Sequence, residues 1–222
     1  MIHEPFYLPV AFDMAAVFFF GMTGALVALR RSYDIVGIAA LAILCGVGGG
    51  VIRDGIFIQE GPPAVALDAR YLYCLVGSIL AAILLGERVE RFGRMVALLD
   101  AAGLGAYAVF GAQKSLAAGL SPLVAVLVGI INAIGGGLLR DVIMREEPLV
   151  FKPGQFYVVA ALIGAAAFVT LVVVFSLPPL PCGLGCMVLT FLVRYLAIRF
   201  NWITRSFYAP RPAPPDTPTS ST

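Results

Sequence analysis

Apolar residues run almost unbroken through seven stretches of this chain, at about 9–29, 35–52, 66–86, 95–113, 121–139, 154–176 and 182–200. Each is close to the roughly 20 residues a helix needs to cross a ~30 Å hydrocarbon core. The runs are continuous rather than alternating. They therefore predict helices, which satisfy their own backbone in lipid, and not barrel strands with a polar residue at every second position. The expected fold class is an all-α membrane protein with seven transmembrane helices.

Two of the runs end in the same unusual way. Gly48-Gly49-Gly50-Val51-Ile52-Arg53-Asp54 closes the second, and Gly135-Gly136-Gly137-Leu138-Leu139-Arg140-Asp141 closes the fifth, 87 positions later. The same offset pairs Asp13 with Asp100, Gly24 with Gly111, Glu60 with Glu147 and Gly77 with Gly164. The chain is thus a duplication. It reads as an N-terminal segment over 1–8, a first three-helix repeat over 9–86, a linker over 87–94, a second three-helix repeat over 95–176, a seventh helix over 182–200 and a tail over 201–222. The tail is rich in Pro, Ser and Thr, which predicts disorder from about residue 210.

Lys and Arg set the orientation. With the N-terminus outside, eleven of them fall in cytoplasmic segments and three (Arg53, Arg70 and Lys114) on the outer side. Setting aside the motif arginines Arg53 and Arg140 leaves the bias intact. Three spans per copy is an odd number, so the second repeat is expected to be inverted relative to the first, with a site near the midplane where the halves meet. The pair Arg30-Arg31 and the charged run from Glu87 to Arg94 read as cytoplasmic topology signals.

Three consecutive glycines are poor helix formers, and an Arg-Asp pair is costly in hydrocarbon. Gly48 lies 13 residues into its span, about 20 Å deep at 1.5 Å per residue, and Gly135 lies equally deep from the other face. The expectation is that the second and fifth helices are broken at Gly48, Gly49 and Gly50 and at Gly135, Gly136 and Gly137. Such breaks free carbonyls and amides that must face protein or water, and the carbonyls suit a cation. Arg53, Asp54, Arg140 and Asp141 then supply charge along the same path. The alternative is tight helix crossing by small residues, with Arg-Asp as an interfacial anchor. Asp13 and Asp100 read as first-turn acids that complement a helix dipole, and as cation attractors in two vestibules. Asn132 either lines a pore or bonds between helices.

Composition narrows the function. The chain is 60% hydrophobic and 13% charged, with a net charge of +2 and a mean hydropathy of +0.96, which excludes a nucleic-acid binder. Residues 1–9 hold Glu4 and neither Lys nor Arg, so the first run is expected to stay in the mature protein rather than leave as a signal peptide. Cys45, Cys74, Cys182 and Cys186 sit in or beside apolar runs and read as packing residues, and His3 fits no metal-ligand spacing. Gly21-x-x-Gly24, Gly103-x-Gly105 and Gly183-x-Gly185 read as close-packing positions. No Ser-His-Asp set, phosphate loop or metal cluster is legible, so neither an enzyme nor a cofactor is expected.

With its doubled Gly-Gly-Gly-x-x-Arg-Asp motif, its equivalent Asp13 and Asp100, and Gly111-Ala112-Gln113-Lys114, the chain resembles the prokaryotic trimeric intracellular cation (TRIC) channel family over roughly 9–200. That family is also labelled a glycine-transporter domain family. The resemblance implies a homotrimer in the prokaryotic inner membrane, surrounded by lipid and needing no other protein partner. Each subunit would carry its own pore for K⁺ or Na⁺ along kinked second and fifth helices. It makes Lys114 a candidate gate element, although its repeat equivalent is Val27. The Lys-Glu-Val motif of the animal members is absent, since Ser115 follows Lys114. The rival expectation is an alternating-access carrier for glycine or another small solute.

Overall fold

The structure, a computed structural model, describes residues 8–86, 92–152 and 156–202. His3, residues 87–91 of the expected linker and the tail beyond 202 lie outside the described residues. Among the described residues eight helices follow one another: α1 (Ala11–Arg30), α2 (Ile35–Ile52), α3 (Ala64–Leu67), α4 (Arg70–Gly86), α5 (Phe92–Ala117), α6 (Pro122–Ile143), α7 (Tyr157–Val169) and α8 (Pro179–Arg199). Residues 92–94 of the expected linker belong to α5. Two end in a wider π-helical stretch, α2 over Arg53–Ile58 and α7 over Thr170–Val174.

Six of these helices are long and apolar enough to cross a membrane. The apolar helix α4 has 17 residues and, at 1.5 Å per residue, spans about 26 Å. The run expected as one helix over 66–86 is divided at Asp68, whose carboxylate accepts the Arg70 backbone N–H at 2.9 Å and caps α4. Hydrogen bonds from Arg70 hold that exposed carboxyl below the usual carboxylate range. Elsewhere Asp34 caps α2 through the Gly37 N–H at 2.8 Å, and Pro122 opens α6 at a position where its missing N–H costs nothing.

The expected breaks at the triple glycines do not occur. Residues 48–50 lie inside α2 and residues 135–137 inside α6, both continuous α-helix. The glycines instead allow two backbones to touch. A Cβ on Gly49 would fall inside van der Waals contact of the Asn132 carbonyl oxygen, and one on Gly136 would meet the Cys45 carbonyl oxygen. A Cβ on Gly135 would lie 2.9 Å from the Gly49 Cα. Position 45 pairs with 136 and 49 with 132, so the two helices run antiparallel where they cross. An intact helix also keeps every amide bonded where no water replaces a lost partner. The irregularity falls a few residues later, in the π-helical turn that begins at Arg53 and closes with the Gln59 N–H on the Asp54 carbonyl at 2.9 Å.

Contacts repeat with the copies exchanged. Gly49 of the first copy meets Asn132 of the second, and Gly136 of the second meets Cys45 of the first; Asn132 and Cys45 are themselves equivalent positions. At the centre of the bundle, Phe20 on α1 stacks on its own equivalent, Tyr107 on α5, with centroids 5.5 Å apart. Around this stack Val17, Leu104, Phe168 and several alanines are fully buried.

Candidate functional site

Beyond the crossing, each helix carries its Arg-Asp pair into a buried cluster, and the antiparallel course puts the two clusters on opposite sides. In the first, Arg53 donates from Nε to Asp54 Oδ1 at 2.7 Å and from Nη1 to Asp13 Oδ1 at 3.0 Å. Tyr71 on α4 donates its hydroxyl to Asp13 Oδ2 at 2.6 Å, and Lys114 at the end of α5 donates to Asp54 Oδ1 at 2.9 Å. The Ala64 N–H at the start of α3 reaches Asp54 Oδ2 at 3.1 Å. Arg53 is 1% exposed and its guanidinium lies over the Phe110 ring at 5.2 Å.

The second cluster repeats the plan. Arg140 donates from Nε to Asp141 Oδ1 and from Nη1 to Asp100 Oδ1, both at 3.0 Å. The Leu149 N–H reaches Asp141 Oδ2 at 3.2 Å, as Ala64 does for Asp54. Arg140 also donates to Thr23 Oγ1 at 3.3 Å. Thr23 and Phe110 are equivalent positions, so each arginine leans on the residue supplied by the other copy.

Charges so deeply placed persist only when paired, because removing one partner of a buried pair costs about 3–5 kcal/mol. Asp13 and Asp100 are therefore salt-bridge partners of the motif arginines, each 40 positions upstream of its Arg, rather than dipole acids at open mouths. Asp13 does lie in the first turn of α1, but α5 begins at Phe92 and Asp100 sits two turns inside it. Both carboxylates are buried, 2% exposed. Asn132 bonds between helices, donating from Nδ2 to the Tyr107 carbonyl at 2.8 Å.

The two ends differ in open space. Beside Asp13, Arg53 and Asp54 the cavity is about 10 Å³, roughly one water, with Pro63 and Ala64 over it. Beside Arg140 and Asp141 it is about 140 Å³, lined also by Glu146, Glu147 and Lys152. Val27, the equivalent of Lys114, forms part of that larger wall. Where the lysine reaches across to its aspartate, the valine stops short. Gly49, Asn132 and Gly136 pack without a gap at the crossing of α2 and α6. Among the described residues no group of three or more His, Cys, Asp or Glu is placed to hold a metal ion.

Sequence reasoning missed Tyr71, Phe110, Thr23 and Arg194. The first three carry no sequence signal of their own, since each matters only for the partner it meets in space. Arg194 did leave a trace, as a lone arginine inside the last apolar run.

A family model described as "Glycine transporter" matches the chain twice, over residues 10–87 and 97–173. A UPF0126 membrane protein of Deinococcus radiodurans is 36% identical over 86% of this chain and 87% of its own length. The UPF0126 inner membrane protein YadS of Escherichia coli K12 is 33% identical over 85% of this chain and 91% of its own. Among solved structures, the TRIC trimeric intracellular cation channel orthologue from Rhodobacter sphaeroides superposes with a TM-score of 0.80 at 34% identity, covering 86% of this chain and 97% of that one.

Proposed function

The chain belongs to the prokaryotic TRIC family, whose model bears the glycine-transporter description, and on that premise we propose that it is a K⁺-permeable cation channel of the inner membrane. In this reading it assembles as a homotrimer with one pathway per subunit. The copies over 9–86 and 95–176 are inverted, the N-terminus lies outside, the C-terminus lies in the cytoplasm, and the helix over 182–200 stands outside the duplication.

The observation that carries the proposal is the pair of buried clusters on opposite sides of a crossing made of glycine backbone. Carboxylates are expensive at such depth and are retained there for ions. Asp54 and Asp141 are the motif acids that line the two cavities, and Arg53 and Arg140 keep the local potential from trapping a cation permanently. Gly48, Gly49, Gly50, Gly135, Gly136 and Gly137 act as the constriction. With no side chain on these six positions, a small slide of α2 against α6 opens the contact, and closing it restores dry packing. Lys114 is the gate element of the outer entrance, because its ammonium occupies the face of Asp54 that a permeant cation needs.

Purified protein in a planar bilayer tests this. Unitary currents with a K⁺/Na⁺ reversal potential are expected, and Gly49→Leu with Gly136→Leu removes them while the protein still inserts. Unchanged currents from that double variant would take the crossing out of the mechanism.

One observation favours a carrier instead: a cavity of about 140 Å³ beside one cluster and about 10 Å³ beside the other is the one-sided access an alternating mechanism requires. A carrier for glycine or a similar solute gives saturable uptake into liposomes and no unitary steps.

A further inference from the structure

The formal charges of the two clusters do not match. Asp13 and Asp54 face Arg53 and Lys114, and the sum is zero. Among the groups the second repeat itself supplies, Asp100 and Asp141 pair with Arg140, one positive charge short. The duplication cannot supply the missing cation, because the counterpart of Lys114 is Val27. An uncompensated carboxylate inside an apolar bundle is among the costlier features a fold can carry.

Arg194 stands beside this deficit. It belongs to α8, the helix with no repeat partner, and it is 1% exposed. Its guanidinium lies over the Tyr157 ring at 5.0 Å and interacts electrostatically with Asp100. Tyr157 leads to the same carboxylate: a Cβ added to Gly137 would find the Tyr157 hydroxyl at 2.6 Å and Asp100 Oδ1 at 3.4 Å. The backbones of α5 and α8 meet closely a few residues away, where a Cβ on Gly105 would lie 2.8 Å from the Met187 carbonyl oxygen.

We propose that Arg194 is the fourth charge of the second cluster, a positioning residue that balances Asp100 and so keeps Arg140 bound between Asp100, Asp141 and Thr23. Helix α8 then completes electrostatically what the second repeat lacks. The two clusters end up balanced by different means. Lys114 is 30% exposed and free to leave, whereas Arg194 is locked between helices. On the channel reading, this makes the second cluster the fixed end of the pathway and the first its adjustable end.

The test is a double-mutant cycle on the full chain in detergent, read by thermal melting. Arg194→Gln and Asp100→Asn each unbalance the cluster and are expected to lower the midpoint by roughly 10 °C. The double variant is neutral again and is expected to melt above Arg194→Gln, with Arg194→Lys closest to wild type. Midpoint losses that simply add, or equal losses for Lys and Gln, would reduce Arg194 to a packing partner of Tyr157 and overturn the proposal. Should Arg194→Gln yield no folded protein, recovery of folding in the double variant supports the proposal, and failure of both overturns it. Melting does not depend on transport, so a negative cycle leaves the channel reading standing and a silent bilayer leaves this one standing.

Discussion

Phe20 and Tyr107 occupy the same position in the two copies, and their rings stack on each other 5.5 Å apart at an interplanar angle of 17°. The contacts of Gly49 with Asn132 and of Gly136 with Cys45 are exchanged between the copies in the same way. Equivalent positions thus meet where the copies pack, and the two clusters share one plan.

The inversion of the copies across the membrane is testable by labelling. Glu60 and Glu147 are equivalent positions after equivalent helices, and both are exposed. In a cysteine-free background, Glu60→Cys is expected to react with an impermeant maleimide added outside intact cells, and Glu147→Cys only after permeabilisation. Labelling of both from one side would rule out the inversion.

The glycines differ in what they tolerate. Gly49→Ala forces a methyl onto the Asn132 carbonyl and is expected to cost about 1–3 kcal/mol by overpacking. One residue on, a Cβ at Gly50 would have its nearest neighbour, Arg53 Nη2, at 3.7 Å. Gly50→Ala is therefore expected to stabilise α2 by about 0.5–1 kcal/mol. Melting of the two single variants checks the contrast, and equal loss from both would mean the crossing does not depend on backbone contact.

Tyr71→Phe removes a hydrogen bond of 2.6 Å to a buried carboxylate. A bond to a charged group contributes about 1.5–3 kcal/mol, so a loss in that range is expected by denaturant or thermal unfolding in detergent. A change below about 0.5 kcal/mol would show that water replaces the hydroxyl.

Lys114→Gln separates folding from gating. The lysine side chain is 30% exposed and screened by water, so although Asp54 at 6% is left one charge short, the loss of stability is expected to be smaller than for Arg194→Gln. Asp54 loses its tethered cation, and the open fraction in bilayer recordings is expected to rise. An unchanged open fraction would remove Lys114 from the gate.

Much of this was legible in the residues because the chain states it twice. The offset of 87 and the doubled Arg-Asp pairs located both clusters, and the run lengths anticipated α1, α2, α6 and α8 closely. The break expected at the glycines did not form, and the alternative of a tight crossing did, for a physical reason. Low intrinsic helix propensity weighs little in lipid, where a broken turn strands its amides, while the missing Cβ lets two helices meet. The link between Asp13 and Arg53 was not legible, because the spacing of 40 recurs from Asp100 to Arg140 as it would for any duplicated pair, and dipole complementarity explained the acids without it. Tyr71 and Arg194 lie on helices whose approach to the clusters only the packed bundle defines.

The lysine present in one copy and absent from its twin has an electrical consequence. On the channel reading, a conduit whose one entrance carries a movable positive charge, and whose other carries valine, is not the same resistor in both directions. Its current–voltage curve should bend: ions driven toward the membrane from the lysine side meet a tethered competitor first, while those coming the opposite way meet it last.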